Sequence, residues 1–215
     1  MPPRQPVPDG SFERSLLAGG YTTIAGVDEV GRGALAGPVV AAAVILPEDF
    51  DVPGVRDSKR VPKNEREELA QAIRECAVAW SLGVVEREEI DSINILQATF
   101  RAMRIAVEGL VVRPSLVLVD GHDAPPLGIP AQSIIGGDGL VRSIAAASLV
   151  AKVARDAMMR ALDAHHPLYG LARNKGYGTA EHRAAILEHG PCAIHRRSFL
   201  GKLLRAQHAP WQTGE

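Results

Sequence analysis

One uninterrupted apolar stretch constrains the fold of this 215-residue chain more than any other feature. Residues 38–46 run PVVAAAVIL, without the polar alternation of a strand that has one face in water. Such a strand is buried on both faces, as in sheets that carry helices on both sides. The surrounding apolar run contains Gly37 and Pro38 and is shorter than the about 20 residues needed to cross a membrane. The stretch therefore predicts the centre of a covered sheet and no membrane segment.

The rest of the chain predicts a mixed α/β sheet followed by a helical C-terminal extension. Strands are predicted from β-branched and apolar runs, and helices from apolar side chains spaced three and four residues apart. The predicted strands are residues 22–27, 38–46, 78–85, 115–119 and 132–135, and the predicted helices are residues 64–76, 94–110, 141–165 and 179–189. We interpret the chain as a loose arm over residues 1–20, a core over residues 21–165 and an extension over residues 166–215.

The cysteine content predicts a reducing compartment. Two cysteines, Cys76 and Cys192, are too few for a disulfide framework or a zinc site. The N-terminal residues are rich in proline and charge and lack the apolar region of a secretory signal peptide. We therefore expect a cytoplasmic protein.

Carboxylates occur where apolar strands are predicted to end. Asp28 and Glu29 end the first strand, Asp120 follows the run LVLV, and Asp138 follows IIGG. An ionised group beside a core is costly unless it is paired or bound to a metal. Without a nearby cluster of His and Cys, four carboxylates suit Mg²⁺ or Mn²⁺ better than Zn²⁺. Two such ions about 3.5–4 Å apart would activate a water and stabilise the leaving oxygen of a phosphodiester.

Two alternatives stay open for these acids. A single aspartate at a strand end is more typical of a turn or a helix cap than of a metal ligand. In addition, adjacent strand residues point to opposite faces, so Asp28 and Glu29 share a site only if the strand ends or bends there. The glycines that follow the pair favour such a bend.

A glycine-rich segment, GRGALAG, begins at Gly31 between two predicted strands. Its spacing differs from the dinucleotide-binding pattern, and a strand rather than a helix follows it, so that interpretation fails. The remaining interpretations are a plain hairpin turn, or a turn whose exposed N–H groups let a nucleic-acid backbone approach.

Taken together, several motifs resemble the ribonuclease HII family and follow its order from about residue 24 to residue 199. They are GVDEVGRG at 26–33, DSK at 57–59, NILQAT at 94–99, LVDG at 118–121, SIAAASLVAKVARD at 143–156, KGYGT at 175–179 and HRRSF at 195–199. The longer strings are each specific, and their shared order makes coincidence an insufficient explanation.

The resemblance implies the ribonuclease H-like fold, a mixed five-stranded sheet flanked by helices, with a C-terminal extension that contacts substrate. It implies an endonuclease that hydrolyses the RNA strand of RNA–DNA hybrids. It also implies cutting on the 5′ side of ribonucleotides embedded in duplex DNA, which leaves 3′-hydroxyl and 5′-phosphate ends. A monomer that uses Mn²⁺ or Mg²⁺ is the family expectation.

Carried over by motif, the family's four catalytic, metal-binding acids are Asp28, Glu29, Asp120 and Asp138. Gly31, Arg32 and Gly33 match the turn that senses the 2′-hydroxyl of ribose, and Tyr177 matches the tyrosine that packs on the sugar next to the cut. Because the 2′-hydroxyl distinguishes a ribonucleotide from a deoxyribonucleotide, donors and acceptors near it must detect it. An ordinary loop tyrosine is the alternative for Tyr177.

Further positions match expected substrate contacts, although each by itself resembles an ordinary surface residue. They are Ser58, Lys59, Ser148, Lys152, Arg196 and Ser198. Ser148, Lys152 and Asp156 fall on one face of the long predicted helix, and we expect them to support the acids from behind or to face phosphates. A solvated face with a weak ion pair is the alternative. Alanines at 145–147 predict close packing of this helix on the sheet.

Four positions depart from the family pattern without removing a proposed metal ligand. Val30 replaces a small residue, Ala34 a proline, Gly137 a lysine and Asn174 a histidine. The missing lysine before Asp138 changes the charge near the predicted metals, so rate and metal preference do not follow from the resemblance.

Two other functions remain open at this point. One is a related nuclease of the same superfold, such as a junction resolvase or a ribonuclease HIII, although residues 1–20 are shorter than the additional domain of the latter family. The other is a nucleic-acid-binding module without catalysis, against which the presence of all four acids argues.

The formal net charge of −1 conceals a segregation of charge. Neutrality by itself disfavours a nucleic-acid partner, whose binders are usually basic. Residues 1–140, however, hold 13 Lys and Arg against 20 Asp and Glu, whereas residues 141–215 hold 11 against 5. We interpret this as an acidic metal centre joined to a basic, phosphate-facing surface. Binding should then weaken with salt and depend on residues such as Lys175, Arg196 and Arg197.

Overall fold

A five-stranded mixed sheet forms the centre of the protein in a computed structural model that describes residues 8–55 and 61–206. Its strands are β1 (Ile24–Val30), β2 (Val39–Ile45), β3 (Ala79–Val85), β4 (Leu116–Asp120) and β5 (Ala131–Ile134). They lie in the order β3-β2-β1-β4-β5. The pairs β1–β2 and β2–β3 are antiparallel, whereas β1–β4 and β4–β5 are parallel. The predicted fold class is confirmed.

Eight α-helices surround the sheet in the described part of the chain. They are α1 (Ser11–Ala18), α2 (Lys63–Cys76), α3 (Arg87–Ile93), α4 (Ile95–Glu108), α5 (Arg142–His165), α6 (Leu171–Asn174), α7 (Ala180–His189) and α8 (Arg197–Ala206). Helix α3 is short and highly charged, and its sequence does not predict it. Asn94 separates it from α4, and its side-chain oxygen accepts hydrogen bonds from the amides of Leu96 and Gln97. None of the helices within residues 8–55 and 61–206 is long and apolar enough to cross a membrane.

Strand β2 is buried along its whole length, as its apolar sequence predicts. Ala41 and Ala43 face a core that includes α4, and Ala42 and Val44 face a core that includes α5. Alternate residues of the strand thus contribute to two different cores, because successive side chains point to opposite faces of a sheet. The sheet is therefore covered on both sides.

Helix α5 packs directly against the middle of the sheet. Ala145, Ala146 and Ala147 are fully buried there, which confirms the close approach that the alanine run predicts. At Gly26 on β1 the two backbones nearly touch, since a Cβ at that position would lie 2.2 Å from the carbonyl carbon of Ser143. This contact positions the amino-terminal half of α5 over the end of β1.

The prediction of a loose arm over the first 20 residues is wrong for residues 11–18, which form α1. The helix forms because Phe12, Leu16 and Leu17 pack against the cluster that contains Ile24 and Leu116. The carboxylate of Glu13 also accepts hydrogen bonds from the amide and the hydroxyl of Ser143 at the start of α5. Local sequence alone does not show this tertiary support.

The C-terminal helices pack against the far half of α5 and against the segment that joins β1 to β2. Met159 of α5, Ala36 of the joining segment and Leu200 of α8 belong to one buried cluster. Ala36 also pairs with His195 in an isolated β-bridge. The extension thus lies beside the carboxyl end of β1, although the boundaries of the predicted domains stay a prediction.

Candidate active site

Three of the four predicted acids meet at the carboxyl ends of β1 and β4. In the parallel pairing of these strands Val27 lies beside Val119, so the following residues, Asp28 and Asp120, are neighbours on the face towards α5. Asp138 lies in the 3₁₀ turn at Gly137–Gly139, which precedes α5. One carboxylate oxygen from each of the three aspartates lies within 4.8 Å of those from the other two.

Backbone amides and a serine support this cluster. Oδ1 of Asp28 accepts a hydrogen bond of 2.7 Å from the amide of Glu29. Oδ1 of Asp120 accepts one of 2.7 Å from the amide of Gly137, next to Asp138. The side chain of Ser148 on α5 also hydrogen-bonds to Asp28. These contacts orient the carboxylates, and the Ser148 contact supports a role behind the acids rather than on substrate.

The cluster is electrostatically unfavourable without a cation. Asp28 is only 6% exposed, and burial raises its pKa well above the usual value. The negative charges of Glu29 and Asp120 raise that pKa further. Three close carboxylates with oxygen ligands alone form the donor set that hard divalent cations prefer. The residues therefore fit a bound Mg²⁺ or Mn²⁺ ion.

Glu29 lies outside the set of three. Strand β1 does not end at the Asp28–Glu29 pair but continues to Val30, with Asp28 opposite Ala42 and Glu29 opposite Ala41. The bend that would bring both side chains to one face is absent there, and Glu29 lies 3.7 Å from Nη1 of Arg32. Burial raises the pKa of Glu29 despite that arginine, and the charge of Asp120 raises it as well. Its place among the metal ligands stays a prediction.

The glycine turn at residues 31–33 follows Asp28 and Glu29 in the chain. Gly31 has a φ of +92°, a conformation that glycine adopts without strain, and its carbonyl accepts the amide of Ala34. Arg32 and Gly33 are exposed, so this turn presents its backbone and one cationic side chain to solvent. The departure at Ala34 contributes that N–H, which a proline lacks.

Tyr177 lies in the loop between α6 and α7, next to the glycine turn. The ring is half-buried, and its centroid lies 5.5 Å from Cζ of Arg155. The amide of Leu35 donates to the carbonyl of Gly176, which joins the two loops. Asn174, the second departure, is buried and stabilises the loop through the carbonyl of Tyr169 and the amide of Gly176.

Four residues that we expected on the substrate surface are held by other contacts. Arg196 is fully buried, and its guanidinium donates to the carbonyls of Arg32 and Gly37. Lys175 is 6% exposed, and its Nζ donates to the carbonyl of Ala172. The expectation of phosphate contacts from these two residues is therefore wrong, because the chain folds the glycine turn and α6 over them.

Ser198 and Lys152 are the other two. The hydroxyl of Ser198 donates to Asp91, whose carboxylate also accepts the amides of Arg197 and Ser198 at the start of α8. Although burial would raise it, these hydrogen bonds hold the pKa of Asp91 below its usual value. Lys152 pairs with Asp156 at 2.7 Å, the alternative that the helical spacing left open. Ser58 and Lys59 lie outside the described residues.

A buried histidine pair, which was not predicted from the sequence, stabilises the Tyr177 loop. The amide of Cys192 donates to Nδ1 of His195, so Nε2 of His195 carries the proton and donates to Nε2 of His182 at 3.1 Å. Nδ1 of His182 then donates to the carbonyl of Tyr177 at 2.9 Å. Both rings are neutral in this arrangement, and both are fully buried. The spacing of the two histidines in the sequence does not indicate that their rings are hydrogen-bonded.

We expect the folded protein to lose stability through His195 as the pH falls from about 6.5 to about 4. Burial, and then the proximity of His182, lower the pKa of His195 to about 4, whereas the unfolded chain has the ordinary value of about 6.5. The unfolded state therefore takes up a proton first, and the stability present above pH 6.5 declines by up to about 3 kcal/mol as the pH approaches 4. Urea unfolding at several pH values measures this change.

The matched control is His122→Gln, because His122 is exposed. This variant should keep the wild-type pH dependence, whereas His195→Gln should lose part of the slope between pH 6.5 and pH 4.5. Equal slopes for wild type and His195→Gln would contradict the assignment of the slope to His195.

Comparison with known proteins identifies the family. The profile described as Ribonuclease HII matches residues 25–202. A ribonuclease HII of Desulfitobacterium hafniense is 55% identical over 187 residues, which cover 87% of this chain and 72% of that protein. A ribonuclease HII of Moorella thermoacetica is 55% identical over 189 residues, which cover 88% and 92%.

A solved structure agrees on the fold. The crystal structure of the ribonuclease H2 of Pyrococcus horikoshii superposes with a TM-score of 0.70 at 23% identity, and the match covers 90% of this chain and all of that one. Since the family profile extends from β1 into α8 and the relatives share more than half of the aligned residues, the chain belongs to the ribonuclease HII family.

Proposed function

We propose that the protein hydrolyses the RNA strand of RNA–DNA hybrids and cuts on the 5′ side of single ribonucleotides in duplex DNA. The products would carry 3′-hydroxyl and 5′-phosphate ends. Membership of the family makes the protein a hydrolytic endonuclease that depends on a divalent metal. The observation that carries the finer proposal is the carboxylate cluster of Asp28, Asp120 and Asp138, which lies directly beside an exposed glycine turn.

Asp28, Asp120 and Asp138 would hold the metal, either Mn²⁺ or Mg²⁺, with Glu29 as a further ligand. Two cations held there would supply activation of a water and stabilisation of the leaving oxygen of the phosphodiester. The protein's own part is to hold the carboxylates in register through the β1–β4 pairing and through the amides of Glu29 and Gly137. Because Asp28 is buried, bulk water would not screen the attraction between its carboxylate and a bound cation.

Recognition of ribose would fall to the turn at Gly31, Arg32 and Gly33 together with Tyr177. Exposed backbone groups at the turn can reach a 2′-hydroxyl, which donates and accepts hydrogen bonds and is absent from deoxyribose. A half-buried tyrosine ring offers a flat apolar face to the sugar beside it. Because Leu35 and Gly176 join the two loops, one nucleotide can contact both.

The basic surface would hold the phosphates through exposed cations rather than through Lys175 or Arg196. Arg32 and Arg197 are exposed, and Arg32 lies in the turn that follows Asp28 and Glu29. Ser58 and Lys59 are further candidates from the sequence. The protein would act as a monomer, as the resemblance to the family implies.

A panel of four substrates tests the proposal: a DNA duplex with one ribonucleotide, an RNA–DNA hybrid, an all-DNA duplex and a four-way junction. With Mn²⁺ or Mg²⁺ we expect cleavage of the first two and none of the others, with the cut mapped 5′ of the ribonucleotide. Binding of the duplexes should weaken as salt rises, because phosphate contacts release counterions. Junction cleavage, or binding of the hybrid without cleavage in both metals, would refute the proposal.

A further inference from the structure

Among residues 8–55 and 61–206, two arginines are the largest side chains with no exposed surface, and both lie beneath the proposed ribose-binding loops. Arg155 belongs to α5, and Arg196 precedes α8. Burying a cation is expensive unless its donors are satisfied. Their hydrogen-bond partners therefore show what the two charges do in the fold.

Arg155 joins the glycine turn to the Tyr177 loop. Its Nε donates to the carbonyl of Pro38 at 2.8 Å and its Nη2 to that of Ala36 at 3.2 Å. Its Nη1 donates to the carbonyl of Lys175 at 2.9 Å, two residues before Tyr177. The side chain also runs directly under Gly31, where a Cβ would lie 2.1 Å from Nε. One guanidinium thus fixes the separation between the two loops.

Arg196 completes this arrangement from the other side. Its Nε donates to the carbonyl of Gly37 at 2.9 Å, and its Nη1 donates to the carbonyl of Arg32 at 3.0 Å. Its amide donates to the carbonyl of Leu35. Among the residues that the structure describes, the buried Nη2 has no partner. The carbonyl of Arg32 is the link that connects this arginine to the middle of the predicted 2′-hydroxyl-sensing turn.

We infer that Arg155 and Arg196 are specificity-positioning residues, which hold the turn at residues 31–38 and the loop at residues 174–178 at the spacing of one ribose. The inference rests on the proposed function, since it concerns how the same site selects its nucleotide. Neither side chain needs to touch substrate. Each acts through main-chain carbonyls, and the planar fork of arginine donors suits several carbonyls at once.

A lysine at either position keeps the positive charge but cannot reproduce the fork, because its donors radiate from a single nitrogen. A buried carbonyl that loses its hydrogen-bond donor is left without a partner and without water, which costs free energy. The two loops should therefore shift until their carbonyls find other donors. Of the two exposed cations proposed to hold phosphates, Arg32 lies on the shifted turn, whereas the amide of Arg197 is held by Asp91 outside that turn. Loss of recognition should therefore be larger for the ribose than for the phosphates.

The test uses the full chain with Arg155→Lys and Arg196→Lys, and Arg160→Lys as the matched control. Arg160 lies on α5 as well, but it is exposed and pairs with Glu67. Two quantities are measured with Mn²⁺. One is kcat/KM for a DNA duplex with one ribonucleotide, and the other is the inhibition constant of an all-DNA duplex of the same sequence. We expect kcat/KM to fall by about tenfold or more in both positioning variants, which corresponds to the loss of one buried hydrogen bond. The inhibition constant should change by less than kcat/KM does, and the control should change neither quantity.

The outcomes separate the inference from the proposed function. If wild type does not cleave the duplex with one ribonucleotide, the proposed function fails and the inference fails with it. If wild type cleaves and folded variants keep its kcat/KM, or lose affinity for both duplexes equally, the inference alone is overturned. Circular dichroism identifies a variant that does not fold. In that case the kinetics of the other variant decide whether the inference holds. Unfolding of both would show that the arginines maintain the fold instead, which also overturns the inference.

Discussion

Asp28→Asn should abolish cleavage while leaving the protein folded and at least as stable as wild type without metal. The variant removes a negative charge from the set of three close carboxylates, so the affinity for a divalent cation falls. Even the removal of an outer-shell partner of a metal site costs about 10–100-fold, so we expect a larger loss of kcat from a ligand itself. The measurement is cleavage of a duplex with one ribonucleotide over a range of Mn²⁺ and Mg²⁺ concentrations.

Although Asp28→Asn should lose activity, its free energy of unfolding without metal should be equal to that of wild type or higher. Burial and the charges of Glu29 and Asp120 raise the pKa of Asp28, which means that its ionised form opposes folding at neutral pH. Asparagine removes that charge and can still bond to Ser148. Metal ions should raise the Tm of wild type, because they bind the folded state, and should raise that of the variant much less.

Asp123→Asn is the matched control, because Asp123 is exposed in the loop after β4 and lies outside the carboxylate cluster. It should keep wild-type activity and metal-dependent stabilisation. A folded Asp28→Asn protein with wild-type activity would contradict the assignment of the site. Wild-type activity in excess EDTA would contradict the requirement for metal.

The positions of Asp28 and Asp120 followed from the sequence because strand ends can be located from apolar runs, and parallel strands bring their carboxyl ends to one edge. Asp138 joins them from the 3₁₀ turn before α5 rather than from a strand end. The position of Glu29 did not follow, since the continuation of β1 to Val30 depends on its pairing with β2. The environment of Arg196 did not follow either. Its carbonyl partner at Gly37 lies 159 residues earlier in the chain, and only the folded structure shows whether such a cation is exposed or buried.

Gly26→Ala should produce the largest loss of stability among the changes considered. A Cβ there would lie 2.2 Å from the carbonyl carbon of Ser143 and 2.3 Å from the amide nitrogen of Ile144. Both atoms belong to the backbone of α5, which cannot rotate aside as a flexible side chain does. Overpacking of a core typically costs 1–3 kcal/mol, and with backbone on both sides we expect about 3 kcal/mol or more. Glycine within a strand is a sequence sign of such an approach.

The same substitution should also reduce cleavage, because α5 connects the packing contact to the active site. Asp138 precedes this helix and Ser148 projects from it towards Asp28, so a displaced α5 shifts one acid and the support of another. Urea unfolding measures the stability, and activity at a temperature well below the Tm separates displacement from unfolding. Gly139→Ala is the control, since a Cβ there meets no atom within 4 Å, and its stability should stay within about 0.5 kcal/mol of wild type. If Gly26→Ala were as stable and active as this control, the backbone contact between β1 and α5 would not be what holds Asp138 and Ser148 in register with Asp28.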